Sequence, residues 1–166
     1  MTITIRREER ADHAAVARIV AAAFGQDAET KIVEAVRGTP SEVLSLVADE
    51  DDVLAAHVLF STVTLDDPRR ACALGPVAVD PPRQSKRIGD ALIRAGIAQL
   101  RTDGWQLVFV LGNPKYYSRF GFALAAPHGW HFGSRELDRA FQAIVLDGSR
   151  LGSGGERWIT YHPAFG

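Results

Sequence analysis

The stretch from Ala71 to Leu111 constrains the fold more than any other part of the chain. Ala71 to Val79 suits a strand. Asp80-Pro81-Pro82-Arg83 then makes a stiff loop, because neither proline has an N–H to donate. Apolar residues at Ile88, Ala91, Leu92, Ala95, Ile97 and Leu100 predict a helix from about Arg87 to Asp103, stopped by Gly104. Trp105 to Leu111 is almost continuously apolar, as a strand buried on both faces should be. Strand, helix and buried strand read as a right-handed βαβ crossover, the hand nearly all parallel connections take.

What precedes it has a different period. Thr2 to Ile5 reads as a short strand. Asp12 can cap a helix by accepting a first-turn amide proton. Val16, Ile19, Val20, Ala23 and Phe24 form one apolar stripe, Gly25 ends that helix, and a second short helix runs from about Ala28 to Val36. Alternation of period two then predicts strands over Val43–Asp49 and Val53–Leu65, with polar turns at Asp49–Asp52 and Asp66–Arg70. These are meander connections, so this part of the sheet should be antiparallel. After the crossover come a short helix around Pro114 to Arg119 and strands near Phe120–Leu124, Gln142–Leu146 and Arg157–Tyr161. A glycine-rich turn spans Gly148 to Glu156. The expected fold is α/β, with a mixed, mainly antiparallel central sheet and flanking helices, in a single domain over residues 1–166.

Composition removes several functional classes. Of 166 residues, 46% are hydrophobic and 23% charged, an ordinary globular balance. Nineteen basic against twenty acidic side chains leave a formal charge of -1, which argues against a nucleic-acid module. No apolar run approaches the ~20 residues of a membrane span, and the start lacks a signal-peptide core. A cytoplasmic protein with no membrane partner is the expectation. Cys72 is the only cysteine, so no internal disulfide forms. His128 and His131 have no third metal ligand beside them, and no metal is expected.

Three segments carry chemistry. Gly75-Pro76 interrupts an otherwise good strand; proline removes a ladder donor, so pairing should break or bulge there and leave amides for an extended ligand. Gln84-Ser85-Lys86-Arg87-Ile88-Gly89-Asp90 sits where a loop becomes a helix, so free first-turn amides and the helix dipole favour an anion. Its spacing is that of neither the nicotinamide fingerprint nor the Walker loop. Gly112 to Phe122 follows the end of the buried strand, where open α/β sheets tend to place ligands.

In this order the three segments resemble the GNAT superfamily of N-acetyltransferases. Gly75 to Pro81 is similar to the bulged fourth strand, Gln84 to Gly89 to the pyrophosphate loop, and Asn113 to Phe122 to the segment after the fifth strand. The run Tyr116 to Phe122 and the ending Tyr161-His162-Pro163-Ala164-Phe165 resemble a bacterial branch of acetyltransferases. One departure stands out: Arg87 replaces the first loop glycine, while Gly89 is retained.

The resemblance implies acetyl-CoA as cosubstrate, lying between the bulged strand and the Trp105–Leu111 strand. Its pantetheine amides would pair with the backbone around Val77 and Val79. Its pyrophosphate would take amide protons from the loop of Gln84, Ser85, Lys86, Arg87, Ile88, Gly89 and Asp90. Asn113 would bond the pantetheine arm, and the amide of Val77 or Ala78 would polarise the thioester carbonyl. Tyr117, four residues before Gly121, falls at the family's acid position, and a phenol with a pKa near ~10 can protonate a departing thiolate. His57, in mid-strand, and Glu29, at the start of the second helix, are the candidate bases, with a water chain as the alternative to both. The acceptor is a primary amine of a small molecule or a peptide. Trp130, His131, Phe132, Phe141, Trp158, Tyr161 and Phe165 either line its pocket or close the sheet. The rival reading is a non-catalytic module that binds acyl-CoA or a protein partner, and a homodimer is compatible with this fold.

Overall fold

The computed structural model describes residues 1–152 and 155–166. The turn expected at Gly148–Glu156 lies partly outside the described residues. Contacts divide the described chain into two compact units, Met1–Ser61 with Leu74–Gln99 and Pro163–Gly166, and Thr62–Ala73 with Leu100–His162.

The first unit contains β1 (Ile3–Arg7), α1 (His13–Phe24), α2 (Ala28–Val36), β2 (Glu42–Glu50) and most of β3 (Val53–Thr64). It also holds the end of β4 (Ala71–Val79) and most of α3 (Ile88–Thr102). β1 pairs antiparallel with β2 (Ile5↔Ala48), and β2 with β3 (Val47↔His57). The apolar stripe of α1 buries Val16, Ile19 and Val20 against Val33 and Val36 of α2 and Val47, Leu59 and Ala78 of the strands. Phe24, the last residue of α1 before the left-handed Gly25 (φ 70°), departs from that stripe and is 42% exposed. Asp12 does not cap α1 as expected: its carboxylate accepts from the Glu9 amide at 2.7 Å and from the Arg6 guanidinium. α3 lies close on β3, since a Cβ on Gly96 would stand 2.6 Å from Phe60 Cε2.

The second unit contains β5 (Leu107–Leu111), α4 (Pro114–Tyr117), β6 (Ala123–Leu124), β7 (Trp130–Phe132), β8 (Phe141–Val145) and β9 (Arg157–Tyr161). The start of β4 pairs parallel with β5 (Cys72↔Val108), completing the expected βαβ crossover around α3. β8 pairs antiparallel with β5 and β6, and β9 with the end of β3. Phe109 stacks on Phe141 at 5.4 Å and packs against Trp130, and all three are fully buried. The architecture is the mixed, mainly antiparallel α/β sheet read from the sequence. Two details differ. Phe120 belongs to a 3-10 turn rather than a strand, and β7, too short to show a period, pairs parallel with β9.

Candidate active site

In the first unit, the Gln84–Asp90 loop adopts an unusual backbone. Ser85 and Arg87 are both left-handed, at φ 71° and 61°, flanking Lys86. Two left-handed residues so close together turn the loop amides out of any regular ladder, which leaves them for anionic oxygens. Arg87 does not sit in the first helical turn, as expected; it precedes α3, and its carbonyl accepts the Ala91 amide at 3.1 Å. It thus keeps a conformation natural to glycine while carrying a side chain. Ile88 is 2% exposed, so only its backbone can serve a ligand. Lys86 stands 3.5 Å from the Glu50 carboxylate, which Arg83 also bonds at 3.0 Å. Gln84 donates from Nε2 to the Val79 carbonyl at 3.1 Å, which occupies part of the backbone that pantetheine was expected to use. Ala78 is buried, and Val77 and Val79 are half-buried. The β4–β5 register runs from Ala71↔Leu107 to Ala73↔Phe109 and stops one residue short of Gly75-Pro76.

In the second unit, Asn113 caps α4, accepting the Lys115 amide on Oδ1 at 2.9 Å. What it can offer a ligand is its side-chain nitrogen. Tyr117 leaves α4 with its ring beside Gly112, Tyr116 (5.0 Å between centroids) and Phe122 (5.9 Å). Burial pushes its phenol pKa up, so the hydroxyl keeps its proton at neutral pH. Tyr116 carries the Arg119 guanidinium over its ring at 4.4 Å, while Phe120 and Phe122 are buried packing residues.

Of the two candidate bases, both in the first unit, His57 is fully buried and shares a 2.8 Å hydrogen bond with Ser45 Oγ. Desolvation pushes its pKa down to about 4, with the Glu8 charge opposing and the Arg37 charge adding to the shift. Glu29 lies in the first turn of α2 and accepts from Gln26 Nε2 at 2.8 Å. Glu8, Ser45 and Arg37 had no sequence signal, because they approach His57 from separate elements up to 49 residues distant. Gly112 opens the segment read from the sequence, but the approach of the Tyr117 ring to its backbone had no sequence signal.

The remaining candidates divide. Trp130 and Phe141 close the core of the second unit, whereas Trp158 is 45% exposed and stacks on His131. His131 bonds Asp138 through Nδ1 at 2.8 Å. Phe165 packs on the helices of the first unit. Cys72 is fully buried, and desolvation raises its thiol pKa, so it is no thiolate nucleophile. No helix among the described residues is long and apolar enough to cross a membrane.

Comparison with known proteins agrees with this layout. Residues 4–125 match the acetyltransferase (GNAT) domain family. An uncharacterised N-acetyltransferase of Escherichia coli K12, YhbS, is 31% identical over 163 residues, 97% of both chains. The crystal structure of E. coli YhbS in complex with CoA superposes with a TM-score of 0.90 at 30% identity, covering 98% of this chain and 91% of that one. A GNAT family acetyltransferase of Brucella melitensis in complex with acetyl-CoA gives a TM-score of 0.82 at 34% identity, over 99% of each chain. The chain belongs to the GNAT family of N-acetyltransferases.

Proposed function

We propose that the protein transfers the acetyl group of acetyl-CoA directly to a primary amine of a small molecule or a peptide. The observation that carries this reading is the 34% identity, over 99% of both chains, to an acetyltransferase holding acetyl-CoA. The Gln84–Asp90 loop, with its two left-handed residues, supplies amides for the pyrophosphate. The backbone from Val77 to Val79 and the Asn113 carboxamide serve the pantetheine arm. An amide of Val77 or Ala78 stabilises the oxyanion. The amine nitrogen bonds to the thioester carbon, the tetrahedral species collapses, and the CoA thiolate leaves with the proton of Tyr117. His57 or Glu29 receives the amine's proton. The raised pKa of buried Cys72 favours direct transfer over an acetyl-cysteine intermediate.

The test is release of free CoA thiol from acetyl-CoA with spermidine, Nα-acetyl-lysine amide and an alanine-leading tripeptide as acceptors. Turnover with any of them, lost in Tyr117→Phe, supports the reading. CoA binding with no turnover on any acceptor replaces it with the non-catalytic acyl-CoA-binding module.

A further inference from the structure

Side chains from separate elements of the first unit meet at His57. Ser45 Oγ, on β2, stands 2.8 Å from His57 Nε2 and 3.1 Å from Glu8 Oε1. Arg37, just past α2, grips the same carboxylate, Nε to Oε1 at 3.2 Å and Nη2 to Oε2 at 2.8 Å. One arrangement of protons satisfies these contacts. An ionised carboxylate can only accept, so the Ser45 hydroxyl donates to Glu8. Ser45 Oγ therefore accepts from His57, which places the imidazole proton on Nε2. Nδ1 is left as a lone pair, and among the described residues it has no hydrogen-bond partner although His57 is wholly buried. A buried acceptor in that condition calls for a donor from outside the chain.

The two ends of this chain of bonds have distinct surroundings. The Asp80 amide donates to the Ala55 carbonyl at 2.8 Å. β3 and β4 are neighbours in the sheet, and this bond holds the His57 stretch of β3 beside the end of β4. Ser61, on the same face of β3, also buries an unpartnered hydroxyl. At the other end, Glu8 and Ser45 line a cavity of about 270 Å³ with Arg7, His13, Arg37 and Glu42.

We propose that His57, Ser45 and Glu8 form a proton relay leading from the attacking amine to this cavity. The inference rests on the acetyl-transfer reading and selects His57 as the base. As the nitrogen bonds to the thioester carbon, an N–H proton passes to His57 Nδ1. The Nε2 proton moves to Ser45 Oγ, and the Ser45 proton moves to Glu8 Oε1. Glu8 then releases a proton to solvent in the cavity, and the relay resets after the product leaves: water entering in its place takes the Nδ1 proton while solvent returns one through Glu8 and Ser45 to Nε2. Burial keeps the proton affinity of His57 low, so it conducts the proton rather than storing it. Arg37, by hydrogen bonds and charge, returns Glu8 to its ionised form despite its burial. His57 is the catalytic residue of the relay; Ser45 and Glu8 are positioning residues.

Ser45→Ala, Ser45→Thr and Glu8→Gln test it, assayed with whichever of the three acceptors named above the parent turns over fastest. Ser45→Ala should lower kcat roughly 10- to 100-fold with the KM for acetyl-CoA unchanged, and Ser45→Thr, which keeps a hydroxyl, should recover most of the loss. Glu8→Gln, which cannot take the Ser45 proton, should lower kcat as Ser45→Ala does. It should also move the acidic limb of the kcat/KM profile to lower pH, because it removes the charge that raises the His57 pKa. A melting shift on adding acetyl-CoA certifies the fold of each variant. Side-chain ¹⁵N NMR of the parent, which needs no turnover, should show His57 protonated at Nε2. The relay is overturned by an Nδ1–H tautomer, or by a folded Ser45→Ala variant with parental kcat and pH profile. A parent inactive on every acceptor removes amine acetylation, and the relay with it.

Discussion

The ring of Tyr117 lies against the bare backbone of Gly112: a Cβ built there would stand 2.5 Å from Tyr117 Cε2. Gly112 has no positive φ, so alanine suits its backbone and the ring is the obstacle. Gly112→Ala should therefore displace the phenol. Stability should fall by about 1–3 kcal/mol, the usual cost of overpacking. Turnover should fall toward that of Tyr117→Phe, for which a loss of roughly 10²- to 10⁴-fold in kcat is expected with acetyl-CoA affinity nearly unchanged. Tyr116→Phe is the control and should be mild. Equal losses in Tyr116→Phe and Tyr117→Phe would reduce Tyr117 to packing.

Acetyl-CoA should stabilise the fold. A ligand at one hundred times its Kd adds about 2.7 kcal/mol, which thermal melting reads as a shift of several degrees. CoA should share that shift and adenine alone should not. No shift at millimolar acetyl-CoA would remove the cosubstrate.

The βαβ unit was legible because its periods are long and its punctuation strong. Pro81 and Pro82 mark one end of the connection, Gly104 the other, and the apolar run that follows tolerates no other placement. Phe24 was misread because a helical stripe records which residues share a face, not where the partner surface ends. Asp12 was misread because its sequence position fits a cap, while Arg6 offers a stronger, charge-assisted bond from β1. In the candidate site, Tyr117 and the anion loop are local segments and could be read as such. The surroundings of His57 are long-range: Glu8, Arg37 and Ser45 reach it only after β1, α2 and β2 have been placed, so no spacing announces them.

Arg87 supplies a test of backbone against charge. Its left-handed conformation, φ 61°, is one that glycine adopts freely and a longer residue adopts at about 1–2 kcal/mol. Arg87→Gly should raise thermal stability by about that amount, and Arg87→Ala should not, because alanine keeps the same backbone cost. CoA binding separates the second contribution. If the guanidinium meets a phosphate, Arg87→Ala weakens binding and flattens its salt dependence, while Arg87→Gly recovers part of the affinity through a closer loop. Unchanged CoA affinity of Arg87→Ala across a salt titration would leave the arginine a solvated side chain.

His57 ties stability to pH. Its imidazole is fully buried and held neutral, with a pKa pushed from the ordinary 6.5 to about 4 by desolvation. As pH falls below 6.5 the unfolded chain takes up a proton that the folded chain refuses until about 4. The unfolded state binds more protons throughout this window, so unfolding free energy rises with pH across it. The stabilisation is complete above 6.5 and is lost as acidification reaches about 4, an effect on the order of 3 kcal/mol. Glu8, whose carboxyl is also held below its ordinary value of 4.5, adds its own loss only as pH nears that value, so the upper part of the window belongs to His57. Denaturant unfolding at half-unit steps from pH 7.5 to 4 should show this slope in the parent. His57→Gln, which does not titrate, should flatten it. A parent with constant stability from pH 6.5 to 4.5 would mean that His57 takes up its proton in the folded state as readily as in the unfolded one, and the buried neutral imidazole would be wrong.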